Sequence, residues 1–151
     1  MTGEHDGDWY QRATLALAGA GYRRGGARQA VLELLDGQRC ARSAVEIEEV
    51  LRRRGACGRP VSRASVYRIL DQLEALGLVT RLEVGRGVVR FEPVRGGSGH
   101  HHHLVCDVCG TLTPFTDPEL ERAIDRLSQR VALSVSEHEV VLHGACSDCT
   151  P

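Results

Sequence analysis

From His100 onward the chain carries six of its seven histidines and four of its six cysteines, within 151 residues in all. Two Cys-X-X-Cys pairs stand out, Cys106 with Cys109 and Cys146 with Cys149. Each pair can chelate one ion. Together they supply four thiolates at about 2.3 Å around a d¹⁰ ion such as Zn²⁺, which leaves no coordination position open for catalysis. Such a site is structural. A dithiol redox function is the alternative use of a Cys-X-X-Cys turn, but two pairs on knuckle-like turns point first to zinc. Cys40 and Cys57 fall outside the pattern and read as small hydrophobes.

The second feature is the run His100-His101-His102-His103. Successive side chains of an extended chain project to opposite faces, so His100 pairs with His102 and His101 with His103, and one run can serve two metal centres. A purification tag would sit at a chain end, whereas this run leads straight into the segment carrying Cys106. Glu92, Glu121 and His138 are available partners, and mixed His/carboxylate sets suit Fe, Mn, Co, Ni or Zn rather than Ca or Mg. A metal-dependent hydrolase is a second alternative that would use the same donors. It needs an open coordination position and a general base; Glu121 is a candidate base, but no H-E-x-x-H or nucleophile motif accompanies it.

These donors need a scaffold. Apolar residues make up 42% of the chain and charged residues 26%, a globular composition large enough for one ordinary domain or two small ones. The formal net charge of -1 hides a split: residues 1–95 hold 16 Arg and 12 acids, residues 96–151 hold 3 Arg and 8 acids, and there is no Lys. Between residues 21 and 68 the excess reaches 11 Arg against 5 acids. That suits phosphate recognition by guanidinium forks, though solvated helix faces would read the same on charge alone. The uncharged stretch 13–22 is about half a bilayer crossing, and Glu4, Asp6 and Asp8 make the start acidic where a secretory signal is basic. The expected location is cytoplasmic, with no membrane partner.

Residues 9–20 read as a helix with apolar Leu15 and Leu17, stopped by Gly21, and residues 28–35 as a second with Val31, Leu32, Leu34 and Leu35 inward. Ser43 and Glu46 form a capping-box pattern opening a third helix with core face Val45, Ile47, Val50 and Leu51 and a stop at Gly55. After the Gly58-Arg59-Pro60 breaker, Ser62 caps a fourth, in which Val66, Ile69, Leu70, Leu73 and Leu76 recur at helical spacing. Arg63, Ser65, Tyr67, Arg68 and Asp71 are left on its other side, as a helix entering a major groove requires. Segments 78–83 and 88–92, joined by Gly85-Arg86-Gly87, signal a hairpin. Helices followed by a hairpin make a winged helix-turn-helix over residues 1–92.

Residues 93–99 (PVRGGSG) have the composition of a flexible hinge, and residues 100–151 form a small metal-binding lobe. There, 103–106 and 111–115 read as strands around the first knuckle. Asp117 and Pro118 open a helix whose expected buried stripe is Leu120, Ile124, Leu127 and Val131, and 135–143 alternates as a last strand. The fold class is α+β, a winged helix plus a small α/β domain with zinc. A lobe of about 50 residues buries too little apolar surface alone and commonly recruits metal or a second subunit.

The chain resembles the ferric uptake regulator family of metal-sensing bacterial repressors. The resemblance runs over 21–149 and is carried by Ser65-Val66-Tyr67-Arg68, by the segment His100-His101-His102-His103-Leu104-Val105-Cys106-Asp107-Val108-Cys109-Gly110, and by Cys146-Ser147-Asp148-Cys149. It implies a homodimer on a palindromic double-stranded operator, with zinc on the four cysteines. Tyr67 and Arg68 fall where the family contacts bases and phosphates, and Arg23 where a basic residue reaches toward the minor groove. A regulatory divalent ion, Fe²⁺, Mn²⁺ or Zn²⁺, would be held by Glu92, His101 and His103. The family's remaining ligand position near the third helix falls on Ala41, with Cys40 its neighbour. A further site maps onto His100, His102, Glu121 and His138. Zinc-uptake relatives use an Asp and a Cys where this chain has Thr80 and Val94, and peroxide sensors use two Asp where it has Glu92 and Pro114. These departures put iron or manganese ahead of zinc, and a thiolate from Cys40 would reverse that order.

Overall fold

The computed structural model describes residues 7–38, 40–55, 60–95 and 100–150. Cys57, Gly58 and Arg59 of the breaker, and residues 96–99 of the expected hinge lie outside the described residues. The chain divides into two units, Met1–Gly97 and Ser98–Pro151.

The first unit contains α1 (Gly7–Gly19), α2 (Gly26–Asp36), α3 (Ala44–Arg54), α4 (Arg63–Ala75) and the antiparallel hairpin β1 (Val79–Glu83) with β2 (Val89–Pro93). Helix α1 buries Trp9, Ala13 and Leu17, and the Trp9 indole donates to the Leu78 carbonyl at 2.9 Å. Leu15, expected inward beside Leu17, is 72% exposed. Two residues along a helix rotate a side chain by about 200°, so one of that pair must face water. Gly21, at φ +82°, ends the helix: Tyr22 N–H donates to the Leu17 carbonyl and Gly21 N–H to that of Ala18, both at 3.0 Å.

Helix α2 is buried along Val31, Leu32, Leu34 and Leu35 as expected. The capping box of α3 is formed: Glu46 N–H donates to Ser43 Oγ at 3.2 Å, and Ser43 N–H to Glu46 Oε2 at 2.7 Å. Its inward stripe is Ala44, Ile47 and Leu51. Val45, expected in the core, lies one position round the helix and is exposed. Helix α4 buries Val66, Ile69, Leu70 and Leu73, while Leu76 sits past its last turn and is exposed.

The hairpin tip takes Gly85, Arg86 and Gly87 through three successive positive φ values, 58°, 50° and 70°, which the two glycines adopt without steric cost and Arg86 does not. Order persists further than the composition of 93–99 suggested. Pro93 pairs with Val79, and Val94 N–H donates to the Leu78 carbonyl at 2.9 Å. The Arg95 guanidinium reaches the carbonyls of Leu35, Asp36 and Gln38, where cations suit the end of a helix.

The second unit is a three-stranded sheet in the order β4-β3-β5, with β3 (His102–Cys106) antiparallel to β4 (Leu112–Phe115) and parallel to β5 (Val141–Gly144). Between β4 and β5 runs α5 (Pro118–Val131), whose cap Asp117 accepts from Glu119 N–H at 2.7 Å and Leu120 N–H at 3.2 Å. The final strand is shorter than the expected 135–143 because only 141–144 pair with β3. The expected stripe on α5 exists but is not buried: within one chain the helix buries no residue, and Leu127 and Val131 remain 48% and 55% exposed. Among the described residues of this unit only His102, His103, Val105 and Cys106 are buried, so its core is the strand that carries the donors. No helix among the described residues is long and apolar enough to cross a membrane.

Candidate functional site

Strand β3 carries His102, His103 and Cys106, the donors around which the others of the second unit gather. Its end delivers Cys106 into a tight turn in which Gly110, at φ +77°, donates its N–H to the Cys106 carbonyl at 2.8 Å and so brings Cys109 back toward Cys106. A matching turn after β5 presents Cys146 and Cys149, whose N–H donates to the Cys146 carbonyl at 3.0 Å. Parallel pairing of β3 with β5 places the two turns side by side, with Asp107 N–H bonded to the Gly144 carbonyl at 2.8 Å. The four sulfurs lie within 4.8 Å of one another, and Cys109 Sγ is 3.8 Å from Cys146 Sγ. The edge of a tetrahedron built on about 2.3 Å zinc–sulfur bonds is also about 3.8 Å.

Backbone donors prepare these sulfurs for negative charge. N–H groups of Cys109 and Cys146 point at Cys106 Sγ at 3.5 and 3.4 Å and lower its thiol to about 6. A hydrogen bond with the Thr111 hydroxyl lowers Cys109. Cys149 goes the opposite way, to about 12, through its contacts with Cys146 and then Cys109. Four thiols this close cannot all ionise by themselves, so the cluster is complete only around a cation. Cys106, Cys109, Cys146 and Cys149 take part in no disulfide.

The expected alternation of the histidine run is present. On one side the rings of His100 and His102 lie 4.7 Å apart, with His138 at 4.5 Å from the first and 5.3 Å from the second. Glu121, one turn into α5, completes this group: its carboxylate is 2.6 Å from His102 Nε2 and 2.9 Å from His138 Nε2, and His100 Nε2 is 3.1 Å from His138 Nε2. All four donors fall within 4.8 Å of one another. His102 is fully buried, and Val140 N–H donates to its Nδ1 at 3.3 Å, which aims Nε2 at Glu121. The hydrogen bond from His102 holds Glu121 below the usual carboxylate range. Burial, followed by the neighbouring His138, holds His100 below the usual imidazole value. Both shifts, toward an ionised carboxylate at Glu121 and a neutral imidazole at His100, are in the direction that binding a divalent ion requires.

On the opposite side His101 and His103 stand 4.9 Å apart. His103 is buried, with Nδ1 3.7 Å from a carboxylate oxygen of Glu139. The sequence reading did not single out Glu139, which only the return of the chain through 133–140 brings to the strand. Glu92 belongs to the first unit, on β2 opposite Thr80, and half-buried Cys40 precedes the buried Ala41 there.

The α4 residues assigned to nucleic acid divide into two sets. Tyr67 and Arg68 are exposed. Ser65 and Arg63 are engaged locally: Ser65 N–H donates to Ser62 Oγ at 3.2 Å, and Arg63 pairs with Glu48 of α3 at 2.7 Å, which raises the guanidinium further above its ordinary value. Arg23 is exposed in the loop between α1 and α2, and its carbonyl accepts from Arg28. Arg28 was missed by the sequence reading because its partner on α4, Gln72, lies 44 residues away along the chain.

A winged helix that leaves the outer face of its fourth helix bare, followed by a unit organised around metal donors, defines a metal-responsive DNA-binding regulator. The chain belongs to the ferric uptake regulator family, whose sequence model matches residues 19–143. It is 31% identical over 133 residues to the ferric uptake regulation protein of Neisseria gonorrhoeae, covering 88% of this chain and 90% of that protein. Among solved structures it resembles the Vibrio cholerae ferric uptake regulator at 31% identity and a TM-score of 0.75, covering 88% and 98% of the two chains. The Helicobacter pylori ferric uptake regulator, described as having three functional metal-binding sites, matches at 25% identity and a TM-score of 0.82 over 97% and 94%.

Proposed function

We propose that this chain is a homodimeric, metal-dependent repressor of metal-homeostasis genes, acting on a palindromic DNA site in the cytoplasm. The observation that carries this reading is the gathering of His100, His102, Glu121 and His138 within 4.8 Å in a unit whose only buried residues, among those described, lie on β3. A divalent ion supplies such a site with positive charge and a preference for fixed donor directions. In the unit itself, Glu121 anchors α5 to His102 and His138, so loading secures the helix that carries the apolar stripe.

That stripe supports the dimer. Leu127 and Val131 of α5, with Leu133 beyond its end and Leu142 on β5, are large exposed apolar side chains in a unit whose described buried residues are confined to β3. Two copies meeting there would bury what one copy cannot. Zinc on Cys106, Cys109, Cys146 and Cys149 staples the knuckles of the same unit.

The regulatory ion is assigned to Glu92, His101 and His103, on donor chemistry and the family resemblance. Glu92 comes from the reader unit and both imidazoles from the other, so loading would restrict how far apart two recognition helices stand. A dimer must deliver those helices to major grooves about 34 Å apart. Iron or manganese suits this oxygen and nitrogen set better than zinc, while a thiolate from Cys40 would favour zinc. Tyr67, Arg68 and Arg23 are assigned to DNA, with Arg63 and Ser65 holding the start of α4. The relatives are transcription regulators, which favours this reading over the thiol redox and hydrolase alternatives.

The test is a metal titration of the purified dimer read by fluorescence polarisation on duplexes selected from a palindromic library. Tight binding should require added Mn²⁺ or anaerobic Fe²⁺ and be lost in Arg68→Ala. Equal affinity in chelator and in metal would refute the proposal.

A further inference from the structure

We propose that Arg28 is a positioning residue that couples the Arg23 arm to the recognition helix, so that the two DNA-contacting elements engage as one. The inference deepens the DNA-binding reading above and rests on it. Three contacts converge on one guanidinium. Nη1 of Arg28 donates to the backbone carbonyl of Arg23, Nη2 donates to Gln72 Oε1 at 2.8 Å, and the group stacks over the Tyr22 ring with its central carbon 5.5 Å from the ring centre. Gln72 lies on α4 one turn beyond Arg68, and side chains four apart share a helix face, so the anchor sits on the same side as the exposed Arg68.

The start of the arm is set by the left-handed Gly21 and its end by the first turn of α2, where the Gly25 carbonyl accepts from Gln29 N–H at 3.0 Å. Between them Arg23 and Arg24 are exposed, and the Arg23 carbonyl accepts from Arg28. A planar fork with donors at fixed angles can hold a carbonyl of one element and an amide of another at once, whereas an ammonium is a point donor. With Arg28 in place, seating α4 in a groove carries the Arg23 backbone with it. Without it, the arm must be ordered separately on DNA, and the contribution of Arg23 to affinity is reduced by that cost.

The test is a double-mutant cycle on the full-length, metal-loaded dimer, using a duplex selected by the wild-type protein. Arg23→Ala should weaken wild-type binding at least tenfold and flatten the salt dependence by about one phosphate contact per subunit. In Arg28→Gln the same change should cost less than about twofold. Gln72→Met, a near-isosteric swap on α4 that removes the bond to Arg28, should shrink the cost of Arg23→Ala in the same way and serves if Arg28→Gln folds poorly. In the free protein, trypsin should cut after Arg23 and Arg24 several times faster in Gln72→Met than in wild type, at unchanged melting temperature.

An additive cycle, in which Arg23→Ala costs the same in every background, overturns the coupling even though DNA is bound; it is also the result expected if Arg28 merely touches phosphate. Unaltered trypsin cleavage overturns it without reference to DNA. A wild-type dimer that selects no duplex overturns the functional reading and this inference together.

Discussion

Leu127→Glu tests the step from chain to dimer most directly. Fully burying a leucine side chain contributes about 1.5–3 kcal/mol. Leu127 is 48% exposed, so covering the remainder at an interface is worth about 1 kcal/mol per subunit, or about 2 kcal/mol for a twofold pair. That alone raises the dimer dissociation constant about thirtyfold, at about 1.4 kcal/mol per factor of ten, and the introduced carboxylates add their own desolvation cost. Sedimentation velocity across a dilution series gives the constant directly. Leu15→Glu is the control: Leu15 is more exposed, at 72%, but lies on α1 of the reader unit, and its replacement should leave assembly unaltered. The reasoning fails if Leu127→Glu dimerises as tightly as wild type, or if the Leu15 variant dissociates equally.

Three further outcomes follow from particular contacts. Stripping zinc with a strong chelator, or replacing Cys146 with Ser, should abolish the folding transition of the second unit, whose described buried residues are confined to β3, and leave that of the first, with its core of Trp9, Leu35, Ile47, Leu70 and Phe91; calorimetry showing both transitions intact would contradict this. Ser43→Ala breaks the capping box of α3 and should cost about 1 kcal/mol, lowering the melting temperature of the first unit by roughly 4–8 °C. Because His100 is held below its ordinary value of 6.5 and Glu121 below its ordinary 4.5, the second unit with zinc on its cysteines but no ion at Glu121 is more stable at neutral than at acid pH. A penalty at His100 sets in as pH falls through 6.5 toward the lowered value, and the stabilisation from Glu121 is lost as pH falls below 4.5. Proton competition at His100 should therefore weaken Mn²⁺ binding only below about pH 6.5; calorimetric titrations showing the loss already between pH 8 and 7 would refute it.

What could be read along the chain was what depends on neighbours. Ser43 and Glu46 are three residues apart, and the capping box they predict forms. The knuckle at Cys106 and Cys109 needs one turn, and the two-residue period of a strand separates His100 and His102 from His101 and His103. Apolar periodicity located α4 to within its stopping residue. It misplaced Leu15 and Val45 because an apolar residue beside a stripe looks the same in sequence as one within it, and only the packing partner selects the line that faces inward.

Chain folding alone decided the rest. Parallel pairing of β3 with β5 brings the two cysteine turns together across 37 residues, with Cys109 and Cys146 at 3.8 Å. Glu121 reaches His102 and His138 from a helix, Glu139 reaches His103, and Arg28 reaches Gln72 across 44 residues. Donor types and short spacings are properties of the sequence, because a turn or a strand fixes where near neighbours point. Coordination distances between remote residues are not, because they depend on how whole elements pack. The exposed stripe on α5 shows this most plainly: its periodicity was legible, but its burial was not, since a single chain supplies no surface to cover it.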